Sequence, residues 1–193
     1  MTKFHQTLLD DEALAYIKSE KVLLGEELGK KISYSEVIKR CVGKEVRMHR
    51  IRSDILDYIK NYSFGLSLDE RVMGIVLFGS YARGTDTAGS DVDLFTVFNG
   101  TLFEGLKLFS AMDRKLEPLR KKIVRMGRYA YVSPLIVDTN NLSEIMPIYF
   151  DVMDFGLVLF QRDNTINNFY KWLTGKRHRR KFLFGKEALT WTE

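Results

Sequence analysis

Two aspartates one residue apart, Asp91 and Asp93, head an apolar run, and a glycine–serine pair, Gly79-Ser80, closes another apolar run ten residues before them. Side chains alternate across a strand, so an acid–apolar–acid triplet at a strand's start puts both carboxylates on one face. A small-residue turn such as Gly79-Ser80 lets backbone N–H groups approach an anion, and the Ser80 hydroxyl adds a donor. Paired carboxylates beside a phosphate-sized turn suit Mg²⁺ shared with a nucleoside triphosphate.

The elements that must position these groups follow from the flanking pattern. Ile75 to Phe78 reads as a buried strand and Asp91 to Phe98 as a second one. Tyr81 to Asp86 is expected to open a helix directly behind Gly79-Ser80, adding positive potential for a phosphate. Arg83 then either assists a triphosphate as a charge-assisted donor or makes an ion pair that holds the loop. Thr85 to Ser90 is polar and is expected to be flexible, with Ser90 orienting Asp91.

The string Gly79-Ser80-Tyr81-Ala82-Arg83-Gly84, followed by Ser90-Asp91-Val92-Asp93-Leu94, resembles the signature of the nucleotidyltransferase superfamily, in its small "minimal nucleotidyltransferase" branch. The likeness covers roughly residues 66–163. It implies an α/β (α+β) fold: a small mixed sheet of four or five strands with helices packed on it. It also implies that two Mg²⁺ ions bridge the carboxylates and a triphosphate, most simply ATP, while a nucleoside monophosphate moves to an acceptor hydroxyl. On that basis Asp91 and Asp93 are the catalytic, metal-holding acids, and Gly79, Ser80 and Arg83 bind the nucleotide. The acceptor is left open among a protein hydroxyl, an RNA end and a small molecule. Small members of the branch often act as antitoxins that nucleotidylate a partner toxin.

Most active members add a third carboxylate from the middle of a neighbouring strand. Here that strand is Tyr129 to Val137, which contains no acid. Ser133 stands where the acid belongs. Asp138, five residues on, faces the other way unless a bulge at Pro134 restores the phase. A competing reading follows: a catalytically weak or inactive nucleotidyltransferase-fold binding module, antitoxin-like, with an N-terminal segment for DNA or a partner.

The rest of the chain frames this centre. Residues 1–63 are expected to form an N-terminal helical extension, 64–163 the catalytic domain, and 164–193 a terminal helix and basic tail. Lys3 to Leu9 reads as a short strand. Helices are expected after Asp10 and from Ser33, where Ser33 and Glu36 have capping-box spacing. This order looks like a ribbon-helix-helix antitoxin, a type that reads the DNA major groove with paired strands. A plain helical hairpin is the alternative, and residues 1–43 are charge-neutral. Residues 44–63 read as one helix, Tyr62 to Leu66 as a loop around Gly65, and Ser67 to Glu70 as a turn. Beyond the second strand come a long helix from Leu102 to Met126, a helix from about Glu144 to Asp154, a strand from Gly156 to Phe160 and a helix from Asp163 to Leu173.

Composition excludes several alternatives. The 193 residues are 45% hydrophobic and 28% charged, as expected of one globular core with an appendage. No apolar run approaches a membrane span, and the first residues lack a signal peptide's apolar core, so a cytoplasmic location is expected. Cys41 is the single cysteine, which rules out an intrachain disulfide. The histidines at 5, 49 and 178 flank no nucleophile elbow. A net charge of +5 favours a polyanion mildly, and the run Lys176 to Lys181 makes nucleic acid a possible partner of the basic tail.

Overall fold

A computed structural model describes residues 51–176 continuously, the backbone of 178–183 and 186–191, and Lys18, Lys21, Val22, Gly25, residues 31–34, Val37, Met48 and Arg50. The chain divides into two compact units, residues 1–46 and 47–193. In the first unit Lys18, Lys21, Val22, Gly25, Tyr34 and Val37 are helical. The Val37 N–H donates to the Ser33 carbonyl, so a helical turn starts at Ser33. The expected strand over Lys3 to Leu9, and with it the ribbon-helix-helix likeness, lies outside the described residues, as do Cys41 and His49.

The second unit runs α1 (Ser53–Ser67), β1 (Val72–Phe78), α2 (Gly79–Arg83), β2 (Val92–Phe98), α3 (Leu102–Arg125), β3 (Val132–Asp138), α4 (Pro147–Phe155), β4 (Leu157–Gln161), α5 (Thr165–Thr174), β5 (His178–Leu183) and β6 (Lys186–Trp191). Four strands form one mixed sheet in the order β3-β2-β1-β4. β1 pairs antiparallel with β2 and β4, while β2 and β3 are parallel. Parallel neighbours need a long crossover, and α3 supplies it. The expected mixed α/β sheet is therefore present with four strands.

Alternation along the strands splits the core into two layers. Ile75, Leu77, Val92, Leu94 and Phe98 pack with Ile55, Tyr58, Ile59 and Tyr62 of α1 and with Phe109 and Met112 of α3. Val76, Phe78, Phe95 and Val97 face the other way, against Tyr149, Phe150 and Val152 of α4 and Ile166, Phe169 and Tyr170 of α5. Burial on both faces explains why β1 and β2 read as continuous apolar runs.

Several local expectations are corrected. Residues 44–63 are not one helix: Met48 and Arg50 are helical, Ile51 and Arg52 are not, and α1 starts at Ser53. Tyr62 to Leu66 is not a loop, because α1 continues to Ser67. Gly65 serves packing there, since a Cβ on it would overlap the Met112 sulfur of α3. α3 begins after Thr101 in a reciprocal capping box with Glu104. The segment expected as a basic tail contains the antiparallel pair β5 and β6, with His178 opposite Trp191 and Leu183 opposite Lys186.

Candidate active site

β1 delivers its last buried residue, Phe78, opposite Asp93 of β2. The chain then turns at Gly79, whose φ of +69° lies in the left-handed region that favours glycine. A Cβ at Gly79 would also overlap the Asp93 carboxylate. Gly79 is thus required twice, by its backbone and by the acid pressed against it. α2 starts at once, with half-exposed Ser80 in its first turn, and ends at Gly84 in the left-handed conformation.

Asp93 sits on the β2 face that looks toward α4. Its parallel register partner on β3 is Ser133. Burial pushes the Asp93 carboxyl above the usual carboxylate range, and the Asp91 charge adds to this. Arg83 and the Ser133 hydroxyl pull the other way, while Asp151 raises it further. These five side chains therefore feel one another across two strands and two helices. Asp91 lies just before β2 and is exposed.

Arg83 is held by Asp151 of α4: its Nη1 donates to Oδ1 at 2.9 Å and to Oδ2 at 2.7 Å. Of the two roles expected for Arg83, the ion pair is the one present, although its partner is a helix and not the loop. Asp138 is not in the site. It aligns with Phe98, at the far end of the β2–β3 register from Asp93, and its Oδ1 accepts the Asn140 N–H at 2.8 Å to cap a short 3₁₀ turn. Pro134 keeps its place opposite Leu94, so no bulge shifts the phase.

The loop from Gly84 to Ser90 is fastened, contrary to the flexibility expected. Asp86 accepts from Arg128 Nη1 at 2.9 Å, with both side chains less than a fifth exposed. The Tyr129 N–H donates to the Ala88 carbonyl at 2.7 Å, and the Val92 N–H to that of Tyr131 at 2.9 Å. Ser90 does not orient Asp91; its Oγ accepts the Thr87 N–H at 2.8 Å and closes the loop on itself. Arg128, read from sequence as part of a basic patch, is a clamp for the approach to the acids.

Sequence reasoning missed Asp151. A signal was available: Pro-Ile-Tyr-Phe-Asp-Val-Met-Asp-Phe is an apolar helix carrying two acids, and an acid flanked by buried Phe150 and Val152 calls for a partner. Among the described residues no three His, Cys, Asp or Glu side chains gather into a ready-made metal cage. Two carboxylates with open positions do fit Mg²⁺, which keeps several waters and takes substrate phosphates as ligands. The raised Asp93 carboxyl fits as well: burial, the main cause, and the Asp91 charge both disfavour its ionised form, and a divalent cation favours that form.

A four-stranded mixed sheet, a glycine turn locked onto a strand acid and a second acid two residues away define a class. Residues 66–153 match the model of the nucleotidyltransferase domain family, and this segment belongs to that family. A nucleotidyltransferase domain thus occupies the part of the chain that carries the two acids. It is 29% identical over 129 residues to a Methanocaldococcus jannaschii protein named "Putative protein adenylyltransferase MJ1305", covering 62% of this chain and 80% of that one. Among solved structures, a toxin–antitoxin crystal structure with AMP-PNP aligns at 20% identity and a TM-score of 0.41, over 60% of this chain and 82% of that one. A mutant of the toxin–antitoxin MntA-HpeT aligns at 18% identity and the same TM-score, with the same coverage. Among the described residues no helix is long and apolar enough to cross a membrane.

Proposed function

We propose that the chain transfers AMP from ATP to an acceptor hydroxyl, with Asp91 and Asp93 holding Mg²⁺. The observation that carries this reading is the contact between Gly79 and Asp93, which fixes a phosphate-sized turn against a carboxylate. Backbone N–H groups at Gly79-Ser80 and the Ser80 hydroxyl hold the β and γ phosphates, and Arg83 adds a cation at the same end. When bound, Mg²⁺ supplies charge neutralisation for the triphosphate and for the leaving pyrophosphate. The bond that forms joins the acceptor oxygen to the α-phosphorus; the bond that breaks releases pyrophosphate. The chain's own work is alignment and electrostatics. The name of the archaeal relative supports adenylyl transfer to a protein hydroxyl as the first acceptor to try; an RNA end or a small molecule follows. A cytoplasmic setting, where triphosphate and Mg²⁺ are plentiful, accords with this reading.

One observation favours a weaker enzyme or a binding module. The residue level with Asp93 on β3 is Ser133, a hydroxyl where a third carboxylate is expected. A hydroxyl orients a carboxylate but is a poor proton acceptor, so turnover is slow on this reading.

The test is incubation with α-labelled ATP and Mg²⁺, comparing wild type with Asp91→Ala/Asp93→Ala. Label transfer or pyrophosphate release should fall at least about 100-fold in the double variant. Triphosphate binding without acid-dependent turnover would leave the binding module. No thermal shift with any triphosphate would end both readings.

A further inference from the structure

Asp151 has no place in the motif that carries the nucleotide reading, yet it grips one of its residues. It belongs to α4, where Phe150 and Val152 on either side are fully buried, so the backbone that presents it is fixed by packing. Arg83 belongs to α2, the helix that opens with Gly79 and Ser80. The ion pair therefore ties the phosphate turn to a helix 68 positions away in sequence. Both carboxylate oxygens are taken by a single nitrogen, Nη1. A saturated arginine–carboxylate pair uses two nitrogens in a fork. Here the Nε–Nη2 edge is not engaged by Asp151. The pair is also partly open to solvent, with side chains 38% and 26% exposed, so a ligand can reach it.

We propose that Asp151 is a positioning residue for nucleotide binding: it holds the Arg83 guanidinium beside Asp93 so that the edge it leaves unengaged takes an oxygen of the polyphosphate. This rests on the triphosphate reading above. An exposed arginine at the end of a five-residue helix has many rotamers, and a carboxylate on a helix anchored by buried neighbours selects among them before the ligand arrives. Preorganisation of this kind lowers the ordering cost of binding. Asp151 touches no ligand itself; it acts through Arg83.

Calorimetric titration of AMP-PNP with Mg²⁺ into wild type, Asp151→Asn, Arg83→Ala and the double variant tests this. Asp151→Asn should weaken AMP-PNP about 10-fold, with Tm within about 2 °C of wild type. On the Arg83→Ala background the same change should cost less than about 2-fold, because the residue it acts through is gone. Asp151→Glu, which keeps the charge, should stay within about 3-fold of wild type and serves if the asparagine variant folds poorly. The proposal is overturned if Asp151→Asn leaves AMP-PNP affinity unchanged, tightens it, or adds its full effect to that of Arg83→Ala. A wild type that does not bind AMP-PNP sinks the nucleotide reading itself, whereas binding that is indifferent to Asp151 sinks only this step.

Discussion

Two arginine–aspartate pairs flank the acidic strand, and they have opposite characters. Arg128 and Asp86 meet at 2.9 Å with 19% and 16% of their side chains exposed. Arg83 and Asp151 meet at 2.7 Å with roughly twice that exposure on the arginine. The first pair joins the approach loop to the segment after α3. The charges of the second both act on the Asp93 carboxyl. Identical chemistry thus serves two ends: the enclosed pair fixes where the strand begins, and the open pair keeps a cation within reach of whatever binds there.

Breaking each pair should expose this difference. Removing one partner of an enclosed pair leaves the other charge poorly solvated. Arg128→Ala should cost about 2–3 kcal/mol and lower Tm by roughly 5–10 °C. Arg83→Ala should leave Tm within about 2 °C of wild type, since open pairs contribute little stability, and should show its effect in triphosphate affinity instead. Differential scanning fluorimetry of the two variants, with and without ATP and Mg²⁺, decides it. If Arg83→Ala is the less stable protein, the assignment of the two pairs is reversed.

The comparison sharpens further at β3. Ser133 faces Asp93 across a parallel register in which the resemblance calls for an acid. Ser133→Asp should raise label transfer about 10-fold, if a misplaced proton acceptor is what limits turnover. It should also lower the Tm of the metal-free protein, because it sets a third carboxylate against two others. A rate that does not rise, with the fold intact, would mean that the acceptor proton leaves by another route.

What the sequence revealed and what it hid divide along contact distance. The paired acids, the glycine turn, the four sheet strands and the long helix were readable because each is a local pattern: a run, a period or a spacing. Gly65 was misread because glycine's low helix propensity is a local signal, and Met112 of α3 overrules it through close packing. The loop before Asp91 looked flexible because its fastening comes from Arg128, 42 positions on. Asp151 was hidden for the same reason, with its partner 68 positions away. The strand β5 escaped notice because a cationic run from Lys176 to Lys181 masks its β character. Asp138 needed only the register: five residues along an unbulged strand puts it at the other end of the sheet.

The smallest effect is the most telling about what the acids are for. Burial and the neighbouring carboxylates hold the Asp93 carboxyl above its ordinary range in the folded protein. Between the unfolded and folded values the folded state binds more protons, so stability falls as pH rises through that window. At neutral pH Asp93 is then a net cost to the metal-free fold, reduced because the group is only partly buried. Asp93→Asn should therefore raise the Tm of the protein in EDTA by roughly 1–3 °C at pH 7.5. At acid pH, where the wild-type carboxyl is protonated in both states, the two proteins should converge. Adding Mg²⁺ should stabilise wild type and leave Asp93→Asn nearly unmoved, closing the gap from the other side. A structural acid would show the reverse order in EDTA, with the asparagine variant the less stable, and would be indifferent to the cation.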